Sequence, residues 1–382
     1  MQCVWVVFGT RPEAIKMAPV IKSLRESGAF DVKAVSSGQH KELLAPILAH
    51  FDIEPDISFN VMRSGQSLNQ LGQRLLFKMD RALAAHQPDW VLVHGDTTTS
   101  LMAALAAFHR QVAVAHVEAG LRTGDMSAPF PEEMNRSVVG RLASLHFPPT
   151  LSAAENLTRE GVREEDMCVT GNTVIDALYH TRDWLAASGW QPENEALRGL
   201  SLSRPILLIT GHRRENFGRG FAQICEAIRE LASTWPQWQF VYPVHMNPNV
   251  QTPVKETLKG LSNISLIEPL DYQSFTWLMQ ACTFILTDSG GIQEEGPALG
   301  KPVLVMRDVT ERPEAVDAGV VQLVGNNKNN IVAACGRLMS DSQALGAMSQ
   351  AKSPYGDGRA AGRITSFLTA RRGQRLSSAS RA

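Results

Sequence analysis

The sequence has almost no net charge. Its 37 Lys and Arg residues are balanced by 38 Asp and Glu residues, which leaves a formal charge of -1 at pH 7. Proteins that bind nucleic acid or anionic membrane surfaces usually carry an excess of basic residues. The missing excess argues against nucleic acid or a membrane as the main partner of this chain.

A long apolar run is also absent. No stretch approaches the roughly 20 apolar residues that a membrane-spanning helix needs. Residues 1–8 are apolar, but they lack a basic leader and a small-residue cleavage site, so we predict a first strand there rather than a signal peptide. These features predict a cytoplasmic protein.

Cysteines are few, odd in number and never in C-x-x-C spacing. A disulfide scaffold needs pairs, and a structural zinc site needs closely spaced ligands. We therefore expect free thiols and no zinc site. No other cluster has metal-ligand spacing, so no metal is expected, and no cofactor is predicted. The five cysteines are Cys3, Cys168, Cys225, Cys282 and Cys335.

What the sequence does contain is the length and composition of a two-domain globular protein, with 382 residues of which 44% are hydrophobic. Short Val/Ile/Leu-rich runs alternate with helical patterns, which predicts an α/β fold with two Rossmann-like, doubly wound domains facing a cleft. The predicted strands are Val4–Phe8, Val32–Ser36, Trp90–Val93, Val112–His116, Ile206–Thr210, Phe240–Pro243, Phe284–Thr287, Val303–Met306 and Val320–Val324.

The alternation is interrupted between about Ala186 and Arg204, where Gly189 and Pro192 break the pattern. We place the domain border there. The prediction is an N-terminal domain over residues 1–187 and a C-terminal domain over 188–382, each about the size of one doubly wound domain. A last helix over about 355–370 is expected to be able to pack back on the N-terminal domain.

The stretch around which the chain is organised runs from Phe284 to Gly300. A buried strand is followed by the turn Asp288–Gly291 and then by a segment of helical pattern that carries Glu294 and Glu295. A strand, a Gly-rich turn and a helix N-terminus together form an anion site, because backbone N–H groups and the helix dipole face the ligand. An ordinary strand-to-helix turn is the alternative explanation for the turn taken alone.

Two carboxylates follow predicted strands in the N-terminal half. Asp96 comes after Trp90–Val93, where it can cap the next helix or take part in chemistry. Glu118 follows Val112–His116, and a carboxylate at the end of an apolar strand is partly desolvated. It therefore needs a partner or must take up a proton, which favours a functional role.

Basic residues also lie beside predicted helix starts. Arg11 precedes Pro12 at the first of them, and the same R-P-E-A sequence recurs at Arg312, which suits a ligand with several negative charges. Lys16 lies about one turn after Arg11. Farther along, Glu132 and Arg136 are four residues apart, a spacing that by itself predicts only a surface ion pair.

Histidines follow two predicted strands of the C-terminal half. His212 comes after Ile206–Thr210 and is followed by two arginines, which favours a phosphate or proton-transfer role. His245 repeats this position on the next strand with a weaker argument. Phe275 begins a segment of helical spacing, and the Met and Trp residues of that segment indicate core packing. For Phe275 itself, covering a base is the alternative to core packing.

Eight motifs occur in one order: G-T-R-P-E-A-I-K-M-A-P, H-G-D-T-T-T, H-V-E-A-G-L-R-T-G, P-E-E-x-N-R, G-N-T-V-I-D-A-L, T-G-H-R-R-E-N, T-D-S-G-G-I-Q-E-E and E-R-P-E-A. With them the chain closely resembles the non-hydrolysing UDP-N-acetylglucosamine 2-epimerases of bacteria, from about Gln2 to about Phe367. The resemblance implies the architecture of B-type glycosyltransferases, with the nucleotide held mainly by the C-terminal domain. It also implies a homodimer that interconverts UDP-GlcNAc and UDP-ManNAc for surface polysaccharide synthesis.

The chemistry that the resemblance implies is elimination of UDP to give 2-acetamidoglucal, followed by re-addition of UDP. The implied acid/base set is Asp96, Glu118 and Glu132, with Arg136 holding the carboxylates and His212 near the diphosphate. At least one of these clustered carboxylates is expected to have a raised pKa. The positions matching the family's substrate-binding residues are Arg11, Lys16, Asp96, Glu118, His212, Ser289, Gly290, Gly291, Glu295 and Arg312, with Phe275 near the uracil.

The resemblance further implies that UDP-GlcNAc activates some members at a second site, for which Gln39, Gln66, Arg213 and His245 are the candidate lining residues. Four other functions stay open from the sequence. They are a B-type glycosyltransferase, a hydrolysing epimerase, a nucleotide-sugar sensor without turnover, and an epimerase of a related UDP-diacetamido sugar. The T-R-P-E form of the first motif favours UDP-GlcNAc over the last of these.

Overall fold

The computed structural model describes residues 1–39, 41–213 and 216–371. Their contacts divide these residues into two compact units, one made of residues 1–177 with residues 355–371, the other of Leu178–Pro354. The division falls inside a helix, Thr173–Ser188, which precedes the Gly- and Pro-containing segment where the sequence analysis placed its border. Residues 355–371 belong to the first unit.

The first unit is built on a six-stranded parallel sheet in the order β3-β2-β1-β4-β5-β6. Its strands are β1 (Gln2–Phe8), β2 (Phe30–Ser36), β3 (Ile57–Ser58), β4 (Trp90–His94), β5 (Ala113–Val117) and β6 (Leu145–Phe147). Its helices are α1 (Arg11–Glu26), α2 (Lys41–His50), α3 (Leu68–His86), α4 (Thr98–His109), α5 (Glu132–Leu142), α6 (Leu151–Arg159), α7 (Thr173–Ser188), which crosses the division, and α16 (Ala360–Ala370).

The second unit repeats this plan, with a parallel sheet in the order β12-β11-β10-β7-β8-β9. Its strands are β7 (Ile206–Thr210), β8 (Gln239–Pro243), β9 (Ile264–Ile267), β10 (Phe284–Thr287), β11 (Val303–Val305) and β12 (Val321–Leu323). Its helices are α8 (Glu195–Arg198), α9 (Arg219–Thr234), α10 (Pro248–Leu258), α11 (Tyr272–Ala281), α12 (Ile292–Ala298), α13 (Pro313–Asp317), α14 (Lys328–Ser340) and α15 (Ser342–Gln350).

The predicted class, two doubly wound α/β domains, is confirmed, and all nine predicted strands form with ends shifted by at most a few residues. The sequence analysis missed β3, β6 and β9. Each of them is an edge strand of its sheet. Edge strands are short and pack against one neighbour only, so their apolar signal is weak.

The point where strand order reverses lies beside β1 and β4 in the first sheet and beside β7 and β10 in the second. Ligands of doubly wound sheets bind at such points, beyond the carboxyl ends of the strands. The interior-facing residues of these central strands are fully buried, for example Val6, Leu92, Leu208 and Ile285. The apolar core therefore fixes where the following turns lie.

The carboxylate of Glu13 ties two of these turns together in the first unit. It is buried, and its Oε2 accepts the backbone N–H groups of Gly9 and Thr10 at 2.9 and 2.8 Å. Its Oε1 accepts the hydroxyl of Ser100 at 3.0 Å. Thr10 and Glu13 form a capping box, which starts α1 at Arg11 and makes Pro12 its second residue.

Helix α16 closes the first unit. The carboxylate of Asp176 accepts the N–H groups of Ala360 and Ala361 at the start of α16, at 3.1 and 2.8 Å. Thr365 then contacts Ser23 of α1 through their hydroxyls at 2.8 Å. Asp176 thereby satisfies N–H groups that a helix start leaves without an internal partner.

The cysteines and the helices bear on two expectations from the sequence. All five cysteines lie within the described residues and are free thiols, as expected. None of the helices in the described ranges is both long enough and apolar enough to span a membrane.

Candidate active site

In the first unit the central feature of the site is Glu118, directly after β5. Its backbone has φ +60°, and the three other non-glycine residues with positive φ in the described ranges each lie just after a helix instead. A glutamate in this conformation is strained, which is typical of residues whose side chain must point in one direction. Its side chain is only 9% exposed.

Three groups surround the Glu118 carboxylate. Its Oε2 accepts hydrogen bonds from the Lys16 ammonium and from Asn172 Nδ2, the latter at 2.8 Å, and lies 3.5 Å from His94 Nε2. Burial by itself raises the pKa of Glu118, but Lys16 and His94 outweigh burial and hold the pKa well below its usual range. Of the two alternatives that the sequence left open, Glu118 takes a partner and stays ionised.

Lys16 was predicted to bind the nucleotide, and the structure places its ammonium on Glu118. Lys16 points from α1 toward the end of β5, and its side chain is 11% exposed. An ammonium next to an ionised carboxylate in a partly dry site fixes both the charge and the direction of that carboxylate.

Asp96 and Arg136 form the second charged pair of this unit. Arg136 Nη2 donates to Asp96 Oδ2, and its Nη1 lies 3.4 Å from Glu133 Oε2. Asp96 is not the cap of α4, because the side chain of Thr97 accepts the Ser100 N–H instead. The backbone carbonyl of Asp96 accepts a hydrogen bond from Asn135 at 2.7 Å. The sequence left open a helix-capping role and a catalytic role for Asp96, and the structure excludes the helix-capping role.

The predicted surface pair of Glu132 with Arg136 is wrong. Arg136 is buried, and its carboxylate partners are Asp96 and Glu133. Glu133 is buried as well, and its Oε1 accepts the N–H groups of Thr123 and Gly124. Glu132 stands half-buried in the first turn of α5, and its carboxylate has no hydrogen bond or ion pair with other described residues.

One buried residue beside these carboxylates that was not predicted from the sequence is a histidine. His116 is fully buried, and one ring nitrogen, Nε2, lies 2.8 Å from the carbonyl oxygen of Gly95. Burial lowers the pKa of His116 to about 3, so the ring is neutral at pH 7 and Nε2–H donates to that carbonyl. His116 thereby holds the turn that carries Asp96. The signal for His116 in the sequence was its position two residues before Glu118 in the motif H-V-E-A-G.

Asn172 is the other missed residue. Its side chain is buried, its Nδ2 donates to Glu118, and its Oδ1 accepts the Val174 N–H at 3.1 Å. Its backbone N–H donates to the carbonyl of Tyr355 at 2.8 Å. Asn172 therefore connects Glu118 with the chain that leads into α16, a link that the G-N-T motif did not reveal.

In the second unit the corresponding residues follow β7 and β10. His212 comes two residues after β7, and its side chain is 47% exposed. Its ring stacks on that of His245, with centroids 5.1 Å apart and planes inclined by 9°. Burial, the largest cause, lowers the pKa of His212, and Asp288 opposes that change. His212 is thus neutral at pH 7.

The Gly-rich turn after β10 packs against Arg312. A Cβ added to Gly290 would meet Arg312 Nη1 at 2.7 Å, so glycine lets the Arg312 guanidinium lie directly against the turn. Arg312 donates to Glu294 Oε1 and, at 2.7 Å, to Glu311 Oε1. Burial by itself raises the pKa of Glu311, but the neighbouring arginines lower it to about 2. Arg312 is therefore fixed beside Gly290 by two carboxylates.

The other predicted residues take varied places. Ser289 donates its N–H to Thr287 Oγ1 at 2.9 Å, and Glu295 Oε2 lies near the Cα of Gly291, 3.6 Å from where a Cβ would stand. Arg11 and Phe275 are half-buried, on α1 and α11 respectively. Gln39 accepts the Thr99 hydroxyl at 2.9 Å.

Three candidates for a second site have their own contacts. Gln66 accepts the N–H of Arg63 at 3.1 Å and also contacts Arg74. Arg213 lies 3.6 Å from Glu311, and His245 stacks on His212. Gln39 and Gln66 belong to the first unit, whereas Arg213 and His245 belong to the second. Within the described ranges, no cluster of three or more His, Cys, Asp or Glu side chains could hold a metal ion.

Fold and site together define the class of protein. Two doubly wound units each place polar side chains beyond the carboxyl ends of their central strands. One unit carries paired carboxylates and the other a Gly-rich turn beside an arginine. This is the class of two-domain, Rossmann-like proteins that act on ligands at strand ends.

The chain belongs to the UDP-N-acetylglucosamine 2-epimerase family, whose model matches residues 22–369. A relative named UDP-N-acetylglucosamine 2-epimerase from Yersinia pestis is 52% identical over 367 residues, covering 96% of this chain and 98% of that protein. An Escherichia coli K12 protein of the same name is 51% identical over 367 residues, with 96% and 98% covered. The resemblance seen in the sequence motifs is confirmed.

Solved structures give the same result. The UDP-GlcNAc 2-epimerase from Neisseria meningitidis, bound to UDP-GlcNAc, has a TM-score of 0.90 at 44% identity and covers 96% of this chain and 99% of its own. An S. aureus protein in complex with UDP has a TM-score of 0.87 at 43% identity, with 97% and 96% covered.

Proposed function

We propose that this chain is a non-hydrolysing UDP-N-acetylglucosamine 2-epimerase, an isomerase that interconverts UDP-GlcNAc and UDP-ManNAc. The observation that carries the proposal is the ionised Glu118 carboxylate, held in one orientation by Lys16 and Asn172. A carboxylate that is ionised and fixed is ready to accept a proton. Membership of a family whose members bear this name supports the choice of reaction.

The proposed reaction begins with elimination. The C2 hydrogen of the sugar is not next to a carbonyl, so its direct removal alone is very difficult. Glu118 accepts that proton while the C1–O bond to UDP breaks and a C1–C2 double bond forms, giving 2-acetamidoglucal and UDP. UDP then adds back to C1 and a proton arrives at C2 from the opposite face. Asp96 and Glu132 complete the acid/base set, and Arg136 holds Asp96 in place.

The second unit supplies the nucleotide groups of this proposal. Gly290 and Gly291 allow a phosphate to approach the backbone closely, and the N-terminus of the helix behind them favours negative charge. Arg312 lies against Gly290. His212 acts on the diphosphate, Glu295 on the ribose hydroxyls and Phe275 on the uracil. Arg11, which belongs to the first unit, is a further cation for the diphosphate. Leaving-group charge on UDP is stabilised by cationic and N–H donors of this kind.

Incubation with UDP-GlcNAc in D2O tests this reaction. We expect UDP-ManNAc to form up to equilibrium, with deuterium at C2 of both sugars, because the removed proton exchanges with solvent. NMR of the C2 position measures it. Conversion without deuterium would contradict the proposed proton removal.

The same incubation separates the open alternatives. No sugar acceptor is added, so a B-type glycosyltransferase predicts no epimerised product. A hydrolysing epimerase releases UDP and free ManNAc in equal amounts, whereas we expect UDP only in traces. A nucleotide-sugar sensor binds without any turnover. A chain specific for diacetamido sugars would leave UDP-GlcNAc unchanged.

We also propose that the enzyme is a cytoplasmic homodimer serving surface polysaccharide synthesis. The residue chosen to test the dimer is Phe77, an aromatic side chain on α3 that is 61% exposed. We expect Phe77→Glu to convert a dimer into a monomer, measured by light scattering after size exclusion. Leu202→Glu, which changes a 65% exposed residue of the other unit, serves as the control. A wild-type monomer would refute the proposal.

Activation at a second site remains a proposal for Gln39, Gln66, Arg213 and His245. The stacking of His245 on His212 supports this proposal, because a ligand that binds His245 would lie beside His212, the residue that we propose contacts the diphosphate.

A further inference from the structure

Asp288, in the turn after β10, is a fully buried carboxylate with no role in the function proposed above. Its relative exposure is 0%. A carboxylate without water is costly unless it is hydrogen-bonded or paired, so such a group needs an explanation. The residue occupies the point where the strand order of the second sheet reverses, next to the end of β7.

One oxygen of Asp288 is fully used. Oδ2 accepts the backbone N–H groups of His212 and Arg213, both at 2.9 Å, and Asn216 Nδ2 at 3.3 Å. The carboxylate therefore fixes the backbone of the loop after β7, which carries His212. Hydrogen bonds from backbone N–H groups favour the ionised form of a carboxylate.

The other oxygen is unsatisfied. Oδ1 is buried and has no hydrogen-bond partner among the described residues, and His212 Nδ1 lies 3.8 Å away. The His245 ring lies nearly parallel to the His212 ring, so it restricts movement of the His212 ring out of its own plane. The imidazole is thus held with Nδ1 on the side of Asp288, and Nε2 has no hydrogen bond to described residues.

We propose that Asp288 is a positioning residue for His212. Its Oδ1 selects the neutral tautomer with the proton on Nδ1, and it stabilises the imidazolium when a diphosphate binds at Nε2. This inference rests on the proposed role of His212 at the diphosphate. A carboxylate behind a histidine sets the tautomer and orientation of the ring in this way in other active sites.

The charges around His212 agree with this role. Asp288 faces it from the turn after β10, His245 faces it from the loop after β8, and Arg213 follows it in the chain. Burial, the largest cause, lowers the pKa of His212, and of these three groups only Asp288 raises it. Loss of the Asp288 charge therefore lowers the pKa of His212 further, and the imidazolium becomes harder to form.

NMR of protein with 15N-labelled histidine tests the proposal without any substrate. We expect the neutral ring of His212 in the wild type to carry its proton on Nδ1, with the signal assigned by comparison with His212→Gln. In Asp288→Asn we expect the tautomer to change to Nε2–H and the pKa of His212 to fall. An Asn keeps an oxygen that can accept the two backbone N–H groups, so the loop retains its anchor.

Kinetics with UDP-GlcNAc give the second readout. For Asp288→Asn we expect kcat to fall by about 10²-fold or more and KM to change by less than about threefold. Asn216→Ala is the structural comparison, because it removes a donor to Oδ2 and leaves Oδ1 facing His212. We expect it to keep the His212 tautomer.

Two results would overturn the proposal. One is an Nε2–H tautomer in the wild type, which needs no variant and so cannot be confused with misfolding. The other is an unchanged tautomer and pKa of His212 in folded Asp288→Asn. Absence of epimerase activity in the wild type would refute the proposed function, but it would leave the tautomer measurement intact, so the two failures can be told apart.

Discussion

Replacing Glu118 by Gln is expected to lower kcat for epimerisation by about 10²–10⁴-fold while the Kd for UDP stays within about threefold. Gln has nearly the same size and can still accept hydrogen bonds from Lys16 and Asn172, but it cannot take a proton from C2. Initial rates with UDP-GlcNAc and calorimetric titration with UDP measure the two quantities.

The matched control is Glu160→Gln. Glu160 is a carboxylate of the same unit that pairs with an arginine, Arg122, through two hydrogen bonds of 2.7 and 2.9 Å. We expect its kcat to remain within about threefold of the wild type. If Glu118→Gln abolished UDP binding as well, Glu118 would be a structural residue; if it left kcat unchanged, Glu118 would not be the base.

Lys16→Met is expected to have the second largest effect, on stability and on the pH profile together. Removing one partner of a buried ion pair typically destabilises a protein by about 3–5 kcal/mol, because the remaining charge is left in a dry site. Asn172 still donates to Glu118, so the lower end of that range applies. Urea unfolding at constant pH measures the loss.

The pH dependence of this loss has a definite sign. In the wild type the pKa of Glu118 is lowered in the folded state, so its contribution to stability is present above the pKa of an unfolded glutamate, about 4.3, and is lost as pH falls through the folded pKa. Without Lys16 the pKa of Glu118 rises, because burial still raises it and one of the two groups that lower it is gone. The variant then takes up a proton in the folded state, so the stability difference from the wild type should be smaller at pH 5 than at pH 8.

Activity gives a separate check of Lys16. The acid limb of the kcat profile should move to higher pH in Lys16→Met, because Glu118 must be ionised to accept the C2 proton. Lys22→Met, an exposed lysine on the same helix, should change neither profile nor stability. A large rise in the Kd for UDP with an unmoved acid limb would instead support the nucleotide-binding role predicted from the sequence.

The site residues that the sequence analysis identified were those that directly follow long apolar strands. Glu118, Asp96 and His212 all stand there, and a strand of four or five buried residues can be read from the chain alone. Asp288 also follows an apolar strand, β10, but the sequence showed it only as part of the Gly-rich turn, and Asn172 follows no predicted strand. Their importance comes from the atoms they contact, Nδ1 of His212 and Oε2 of Glu118, which are 76 and 54 residues away in the chain.

Pair assignments were likewise beyond the sequence. Arg136 was expected to interact with Glu132 because the two are one helical turn apart. In the fold Arg136 points to Asp96, which follows β4, since α5 packs against α4 at the end of that strand. A contact between separate elements depends on how their faces pack, and helical spacing carries no information about that.

The sequence by itself determined the fold class, the family, nine of the twelve strands that the described residues form, and the turns where charged residues lie. These follow from local periodicity and from short motifs, which depend only on neighbouring residues. The tertiary structure alone decided that Lys16 keeps Glu118 ionised, that Arg136 belongs to Asp96, and that Asp288 lies behind His212. The physical reason is that the charge state and orientation of a side chain depend on its burial and on its partners. Partners that are distant in the sequence come close only when the chain folds.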